Sequence, residues 1–345
     1  MSEYVVAVVG IGAVGEELVR VLHEHRFPAR EIRILARTPR QIEVDGRPYQ
    51  VVATTPEAFD GVDIALFAGT EGAKGAAVTF GPEAVKRGAV VIDNGSDFRM
   101  RPDVPLVVPE VNGHTLAEHK GFVANPNCST AQLVMALKPL HDEGRIRRVL
   151  VSTYQAVSGA GAAGSEELLA QIGALADGRA ITTAGPTFSA QIAGNVIPQI
   201  GGFDDNGYTS EEMKLVHETR KILGDSTIAV TPMAAVRVPV FVGHSEAVYV
   251  ETEQPITPAR ARELWSAFPG VTVVDDTGNS DPALAFPTPL MAAGRDTTYV
   301  GRVRQDLGND RGLAFWVVSD NLRKGAATNA VQIAEALVSG GWLSR

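Results

Sequence analysis

The sequence predicts an α/β chain of two domains. A parallel sheet covered by helices comes first, then an α+β unit with a mixed or antiparallel sheet. Three observations support this. The length of 345 residues allows about two domains at roughly 150 residues each. Through the first third, short and nearly continuous apolar runs alternate with amphipathic stretches, as strands buried on both faces by helices require. Beyond about residue 145 the runs alternate apolar with polar, the pattern of a sheet with helices on one face.

In order, residues 4–9 form a β-rich run, followed by Gly10, Gly12 and Gly15. Residues 16–25 then carry Leu18, Val19 and Leu22 at helical spacing. Runs 32–35, 64–67 and 89–92 read as further strands, and 82–87 is able to be a helix. In the second half, 149–154, 228–230, 236–242, 247–251, 271–274, 299–303 and 313–318 read as strands. Helices are expected over 165–175 and 210–223, the latter opened by Thr209 with Glu212 three residues on, a capping box. A last helix over 326–337 is apolar on one side and suited to docking on the first domain. The expected domains are therefore 1–127 with 322–345, and 128–321.

Composition excludes several functions. Hydrophobic residues make up 45% and charged residues 21%, which is ordinary for a globular chain. With 31 basic against 40 acidic side chains the net charge is −9, so neither nucleic acid nor an anionic membrane is an expected partner. The single cysteine excludes an intramolecular disulfide and fits a reducing compartment. No metal site is expected, because His23 and His25 are two residues apart on one helix and point to different faces. No apolar run approaches the ~18 residues of a membrane span, and no basic segment precedes the first strand as in a secretion signal. A cytoplasmic location is expected.

Local patterns carry the chemistry. Gly10-Ile11-Gly12-Ala13-Val14-Gly15 lies between a strand and a helix, where glycines let a pyrophosphate approach the helix N-terminus. This is a Rossmann-type dinucleotide turn. An NAD site usually has an acid about 20 residues on. Here the second strand ends in Ala36-Arg37-Thr38-Pro39-Arg40, and Arg37 and Thr38 suit a 2′-phosphate, favouring NADP(H). Cys128 stands in Asn125-Pro126-Asn127-Cys128-Ser129-Thr130, directly before a helical run over 131–137, where a helix dipole lowers a thiol pKa. His244 interrupts a strand-rich stretch, where a half-buried imidazole needs a partner or a task such as acid/base work beside Cys128. Arg237 and Arg99, read as embedded in apolar strands, are candidate anion clamps. Glu211 and Lys214, three apart on one helix, read by default as a surface ion pair. The loop 155–161 reads as a backbone-rich binding turn.

Taken together, these segments resemble the aspartate-semialdehyde dehydrogenase family. The resemblance also rests on Val91-Ile92-Asp93-Asn94, the run 105–112, the run 153–161 and Glu211-Glu212-Met213-Lys214 with Glu218-Thr219. Arg237-Val238-Pro239-Val240 and Asp320-Asn321-Leu322-Arg323-Lys324-Gly325 complete it, in order along nearly the whole chain. It implies a fold like that of glyceraldehyde-3-phosphate dehydrogenase, with an NADP-binding first domain and a second domain for catalysis and dimerisation. The implied reaction is NADPH-dependent reduction of 4-phospho-L-aspartate to L-aspartate 4-semialdehyde and phosphate through a cysteine thioester. That reaction serves biosynthesis of lysine, methionine, threonine and diaminopimelate.

The implied roles are Cys128 as nucleophile, His244 as acid/base and Gln155 orienting the substrate. Arg237 would hold the α-carboxylate, Glu211 the amino group, and Arg99 with Lys214 the phosphate. Ser158, Gly159 and Asn321 would lie by the nicotinamide. A homodimer or homotetramer is implied. The chain departs from the family's usual G-A-T-G-x-V-G turn, which is one residue longer, and from its A-S-x-R-S-A-G stretch after the second strand. Two other readings stay open on the residues alone: a related acyl-phosphate or acyl-thioester reductase, and a non-catalytic dinucleotide binder. An ordinary alcohol or hydroxy-acid dehydrogenase is a third, in which Cys128 would have no role.

Overall fold

The computed structural model describes residues 3–69, 72, 75–181 and 185–343. Met1, Ser2, Ser344 and Arg345, which the sequence reading included at the chain ends, lie outside them. The chain divides into two compact units, one running to Asn127 and resuming at Ala326, the other being Cys128–Gly325.

The first unit opens with β1 (Tyr4–Val9), the glycine turn and α1 (Ala13–Glu24). There follow β2 (Ala29–Ala36), β3 (Arg40–Val44), β4 (Arg47–Ala53), β5 (Ile64–Phe67), α2 (Ala76–Lys86), β6 (Val90–Asp93), the short α3 (Pro109–Asn112) and β7 (Phe122–Ala124). The sheet order is β3-β4-β2-β1-β5-β6-β7, parallel except for β3 against β4. Chain order reverses at β1, the crevice where such sheets bind ligands, and the glycine turn leaves the carboxyl end of that strand. The expected Rossmann-type parallel sheet is present, with the antiparallel β3–β4 hairpin added at one edge. The hairpin turn is Asp45-Gly46, with φ of 49° and 75°, the pairing that a tight hairpin favours. Both strands are largely polar, so hydrophobic patterning did not reveal them.

The second unit contains α4 (Cys128–Gly144), β8 (Ile146–Gln155), α5 (Ala162–Ala176), α6 (Ser210–Leu223), β9 (Ala229–Arg237), β10 (His244–Thr252), α7 (Pro258–Ala267), β11 (Val271–Val273), α8 (Pro282–Ala285), α9 (Pro289–Ala292), β12 (Thr298–Gln305) and β13 (Gly312–Ser319). Its sheet is mixed, in the order β11-β12-β13-β10-β8-β9. Helices α4, α6 and α7 pack on one face. Trp265 of α7, fully buried, donates its indole N–H to the Ala136 carbonyl at 2.8 Å and sets its ring 5.0 Å from Phe315. The other face presents Tyr154, Met233, Ala247, Tyr249, Ala314 and Trp316, and the short α9 packs against it only at the Trp316–Val318 end of β13.

Strand 236–242 is corrected. The chain pairs from Ala229 to Arg237 as one edge strand, β9, and 238–243 is irregular. Pro239 has no N–H to give, and Gly243 adopts φ 99° with Pro289 against it, so a strand cannot continue. Pro232 is tolerated within β9 because that strand is an edge and its register to β8 shifts there.

The last helix, α10 (Thr328–Ser339), belongs to the first unit and buries Ala330, Val331, Ile333, Ala334 and Leu337 in a cluster shared with Leu18 and Leu22 of α1. Among the described residues no helix is long and apolar enough to cross a membrane.

The capping box at α6 is present: Thr209 accepts from the Glu212 N–H, and Glu212 accepts from the Thr209 N–H at 2.7 Å. The second Glu212 oxygen accepts from the Ala235 N–H at 3.0 Å, tying α6 to β9. Glu212→Ala should therefore cost about 2 kcal/mol in urea unfolding, more than the ~1 kcal/mol of a cap alone. A loss equal to that of Thr209→Ala would show that the β9 link contributes nothing.

Candidate active site

The first unit supplies a glycine turn whose three glycines differ in purpose. Gly10 adopts φ 96°, which turns the chain out of β1. A Cβ on Gly12 would meet nothing within 4 Å, so its backbone is open to an approaching group. A Cβ on Gly15 would lie 2.1 Å from the Gly10 carbonyl oxygen, so only glycine lets α1 start this close to the turn. Ile11, Ala13 and Val14 complete the turn, and no side chain caps α1. Arg37 and Thr38 are exposed just past β2. Arg99 lies in a turn after β6 and not in a strand. It is buried, donating from Nε to the Asn125 carbonyl at 2.9 Å and from Nη2 to the Asn94 carbonyl at 2.7 Å.

The second unit gathers the remaining candidates. Helix α4 begins at Cys128 itself, three residues earlier than the apolar run suggested, so the half-buried thiol is part of the first turn. A Cβ on Gly325 would lie 2.8 Å from the Cys128 Cβ, so that backbone covers one side of the cysteine closely. Arg237 ends β9, buried and stacked over Phe188, and donates from Nη1 to the Ala156 carbonyl at 2.7 Å. Burial lowers the Arg237 pKa, while the nearby Cys128 and Glu211 raise it and thus favour its charge.

His244 is fully buried, deeper than the half-burial its sequence context suggested. Its Nδ1 accepts from the Ala156 N–H at 3.0 Å, which places the proton of the neutral ring on Nε2. Nε2 has no hydrogen-bond partner among the described residues. Burial, with Arg237 nearby, holds the imidazole well below its ordinary range. Gly159 lies against this edge: a Cβ there would be 2.8 Å from Arg237 Nη1 and 3.2 Å from His244 Nε2. Asn321 accepts from the Ser158 hydroxyl at 3.1 Å and from the Gly243 N–H at 3.0 Å, fixing the loops on either side.

Gln155 ends β8 and donates to Glu211 at 3.2 Å and to Thr153 at 3.3 Å. Glu211 also accepts from Lys214 at 3.3 Å. The surface ion pair expected by default is corrected: Glu211 is buried and Lys214 half-buried, because this face of α6 turns inward. The sequence marks the loop 155–161 as a backbone-rich turn without singling out Ala156, whose role is entirely main-chain, and it gives no sign of Gly325, whose closeness to Cys128 depends on tertiary packing. Among the described residues no group of three or more His, Cys, Asp or Glu is placed to hold a metal.

Two family models match the chain: a semialdehyde dehydrogenase NAD binding domain over residues 5–119, and a semialdehyde dehydrogenase dimerisation domain over 137–324. The aspartate-semialdehyde dehydrogenase of Aquifex aeolicus is 49% identical over 98% of this chain and 99% of its own. That of Bacillus subtilis is 45% identical over 96% of each. The solved structure of aspartate semialdehyde dehydrogenase II complexed with ASA from Vibrio cholerae superposes with a TM-score of 0.91 at 46% identity, covering 98% of this chain and 99% of that one.

A buried imidazole held neutral binds fewer protons than its unfolded counterpart once the pH falls below about 6.5. Stability is therefore unaffected by His244 above that pH and falls as the pH drops below it. Relative to His244→Asn, the wild type should lose stability more steeply between about pH 6.5 and 5, by up to about 1.4 kcal/mol per pH unit. Parallel denaturation profiles for the two proteins would contradict the assignment.

Proposed function

The chain belongs to the aspartate-semialdehyde dehydrogenase family, and on that premise we propose that it reduces 4-phospho-L-aspartate to L-aspartate 4-semialdehyde and phosphate with NADPH, through a thioester on Cys128. One observation carries the reading. Arg237 Nη1 and His244 Nε2 converge on Gly159, in the unit whose helix α4 starts at the Cys128 thiol and whose Glu211 is joined to Gln155.

The positive end of α4 and the Arg237 charge both favour the Cys128 thiolate. The sulfur attacks the acyl carbon, the C–S bond forms, and the C–O bond to phosphate breaks. When bound, NADPH supplies hydride to the thioester carbon, after which the C–S bond breaks and the aldehyde leaves. His244 carries its proton on Nε2 and offers it to the carbonyl oxygen as that oxygen becomes anionic. One such donor is typically worth ~3–4 kcal/mol. This supports His244 as a hydrogen-bond donor to that oxygen; full proton transfer, and the base half of the acid/base role, would each need a proton on Nδ1, which the Ala156 N–H opposes. Arg237 suits the substrate α-carboxylate and Glu211 its ammonium, with Gln155 joined to Glu211 at the reacting end. Lys214 and, in the first unit, Arg99 take the phosphate role.

The cofactor preference rests on the first unit. The open backbone at Gly12, at an uncapped helix start, fits a pyrophosphate. Arg37 and Thr38, with no acid at the end of β2, fit a 2′-phosphate. Ser158, Gly159 and Asn321 are proposed for the nicotinamide end. The open part of the sheet face, around Met233, Tyr154 and Trp316, is proposed as the homodimer contact, in keeping with the dimerisation domain that matches this unit. A cytoplasmic location agrees with the lone reduced cysteine.

Purified protein given aspartate semialdehyde, NADP and phosphate should reduce the nicotinamide, and omitting phosphate should stop it. Reduction independent of phosphate would exclude acyl-phosphate chemistry. Cys128→Ala should lose about 10⁴-fold or more in kcat. Arg37→Ala should lower kcat/KM for NADP about tenfold and leave NAD unchanged; an equal fall for both would refute the 2′-phosphate contact.

A further inference from the structure

Glu246 is a fully buried acid that the mechanism above does not use, and neither of its carboxyl oxygens has a hydrogen bond of standard geometry among the described residues. Burial pushes it well above the ordinary carboxylate range, and the Gln132 amide facing it is the opposing influence. Gln132 is fully buried too, and both its polar atoms are equally without a standard partner among the described residues. The spacing of the two is informative. Gln132 follows Cys128 by four residues, one turn along the same side of α4. Glu246 follows His244 by two residues, on the same face of β10. Helix α4 packs on β10, so the acid and amide repeat, one step inward, the placement of the thiol and the imidazole.

The surroundings leave few other partners. The titratable groups on this side of the packed elements are His244 on β10, Cys128 on α4 and, at the far end of the layer, Arg237 on β9 and Glu211 on α6, which are engaged with the Ala156 carbonyl and with Gln155 and Lys214. Thr153 stands opposite Glu246 on β8 and Val317 on β13, and neither is charged. Thr153 already accepts from Gln155, and His244 Nδ1 is held by Ala156. A carboxylate–imidazole pairing is thereby excluded at that nitrogen. A neutral carboxyl and a primary amide are complementary, each donating one hydrogen bond and accepting one, whereas a carboxylate would leave the amide oxygen unpaired and a charge buried.

We propose that Glu246, as a neutral acid paired with Gln132, is a positioning residue that fixes the first turn of α4 against β10 and so sets the Cys128 thiol relative to His244. The proposal rests on the catalytic reading of Cys128 and His244 given above. It acts through α4 and does not place Glu246 in contact with substrate.

The test compares Glu246→Gln, Glu246→Leu and the double variant Glu246→Leu/Gln132→Leu in the full-length enzyme. It measures Tm, kcat, KM and the rate at which iodoacetamide alkylates Cys128. An amide at 246 can replace the neutral acid, so Glu246→Gln should keep kcat and alkylation rate within about twofold, and relative to the wild type it should lose less stability as the pH rises above about 4.5. Glu246→Leu orphans Gln132 and should lower Tm, with kcat and alkylation rate each falling about tenfold at unchanged KM. The double variant removes both polar groups and should recover Tm without recovering kcat or alkylation rate.

Recovery of all three in the double variant would reduce the pair to a packing role and overturn the proposal. So would a Glu246→Leu protein with wild-type alkylation, or a Glu246→Gln protein as impaired as Glu246→Leu. Alkylation of Cys128 does not depend on turnover, so failure of the catalytic reading would show separately, as retained activity in Cys128→Ala.

Discussion

The main chain of Ala156 gives its N–H to His244 Nδ1 and takes Arg237 Nη1 on its carbonyl. The two peptide groups that flank this one residue therefore settle which nitrogen of the imidazole carries the proton and where the guanidinium points. The loop that follows is held in turn, with the Val157 N–H on the Val240 carbonyl at 2.8 Å and the Ser158 N–H on the Phe241 carbonyl at 3.1 Å. Because 238–243 leaves the sheet after Arg237, it can curl back and make those bonds. The irregularity at Pro239 and Gly243 is thus what brings His244, at the start of the next strand, to the end of β8.

A second constraint is the layer between α4 and the sheet. Toward one end it is apolar, with Val149, Val151, Val248 and Val250 buried. Toward the other it carries Thr153, Gln155, His244, Glu246 and Gln132, all buried as well. Buried polar groups cost free energy unless paired, so their concentration beside Cys128 marks where stability gives way to chemistry. The arginine and carboxylate clamp lies at this end, and the fold supplies it from the ends of three elements, β8, β9 and α6.

Much of this was legible because its signals are local. Gly10, Gly12 and Gly15 between a strand and a helix, Cys128 at a polar turn, and Thr209 with Glu212 each announce their surroundings within six residues. The β3–β4 hairpin was missed because its strands are polar, although Asp45-Gly46 was there to be read. Residues 236–242 were misjudged because apolar alternation outweighed Pro239. The Glu211–Lys214 spacing cannot reveal which helix face is buried, and a hub made of the Ala156 backbone has no side-chain signature. Glu246 was accessible in principle, since an inward His244 obliges the residue two positions on to point inward.

The central claim is that the Cys128 sulfur carries the acyl group between the two half-reactions. Intact-mass spectrometry of enzyme mixed with 4-phospho-L-aspartate without nicotinamide, then quenched in acid, tests it directly. A single aspartyl adduct that maps to Cys128 and disappears when NADPH is added before the quench is the result expected. Full turnover with NADPH but no adduct at any quench time, or an adduct on another residue that NADPH discharges, would contradict it.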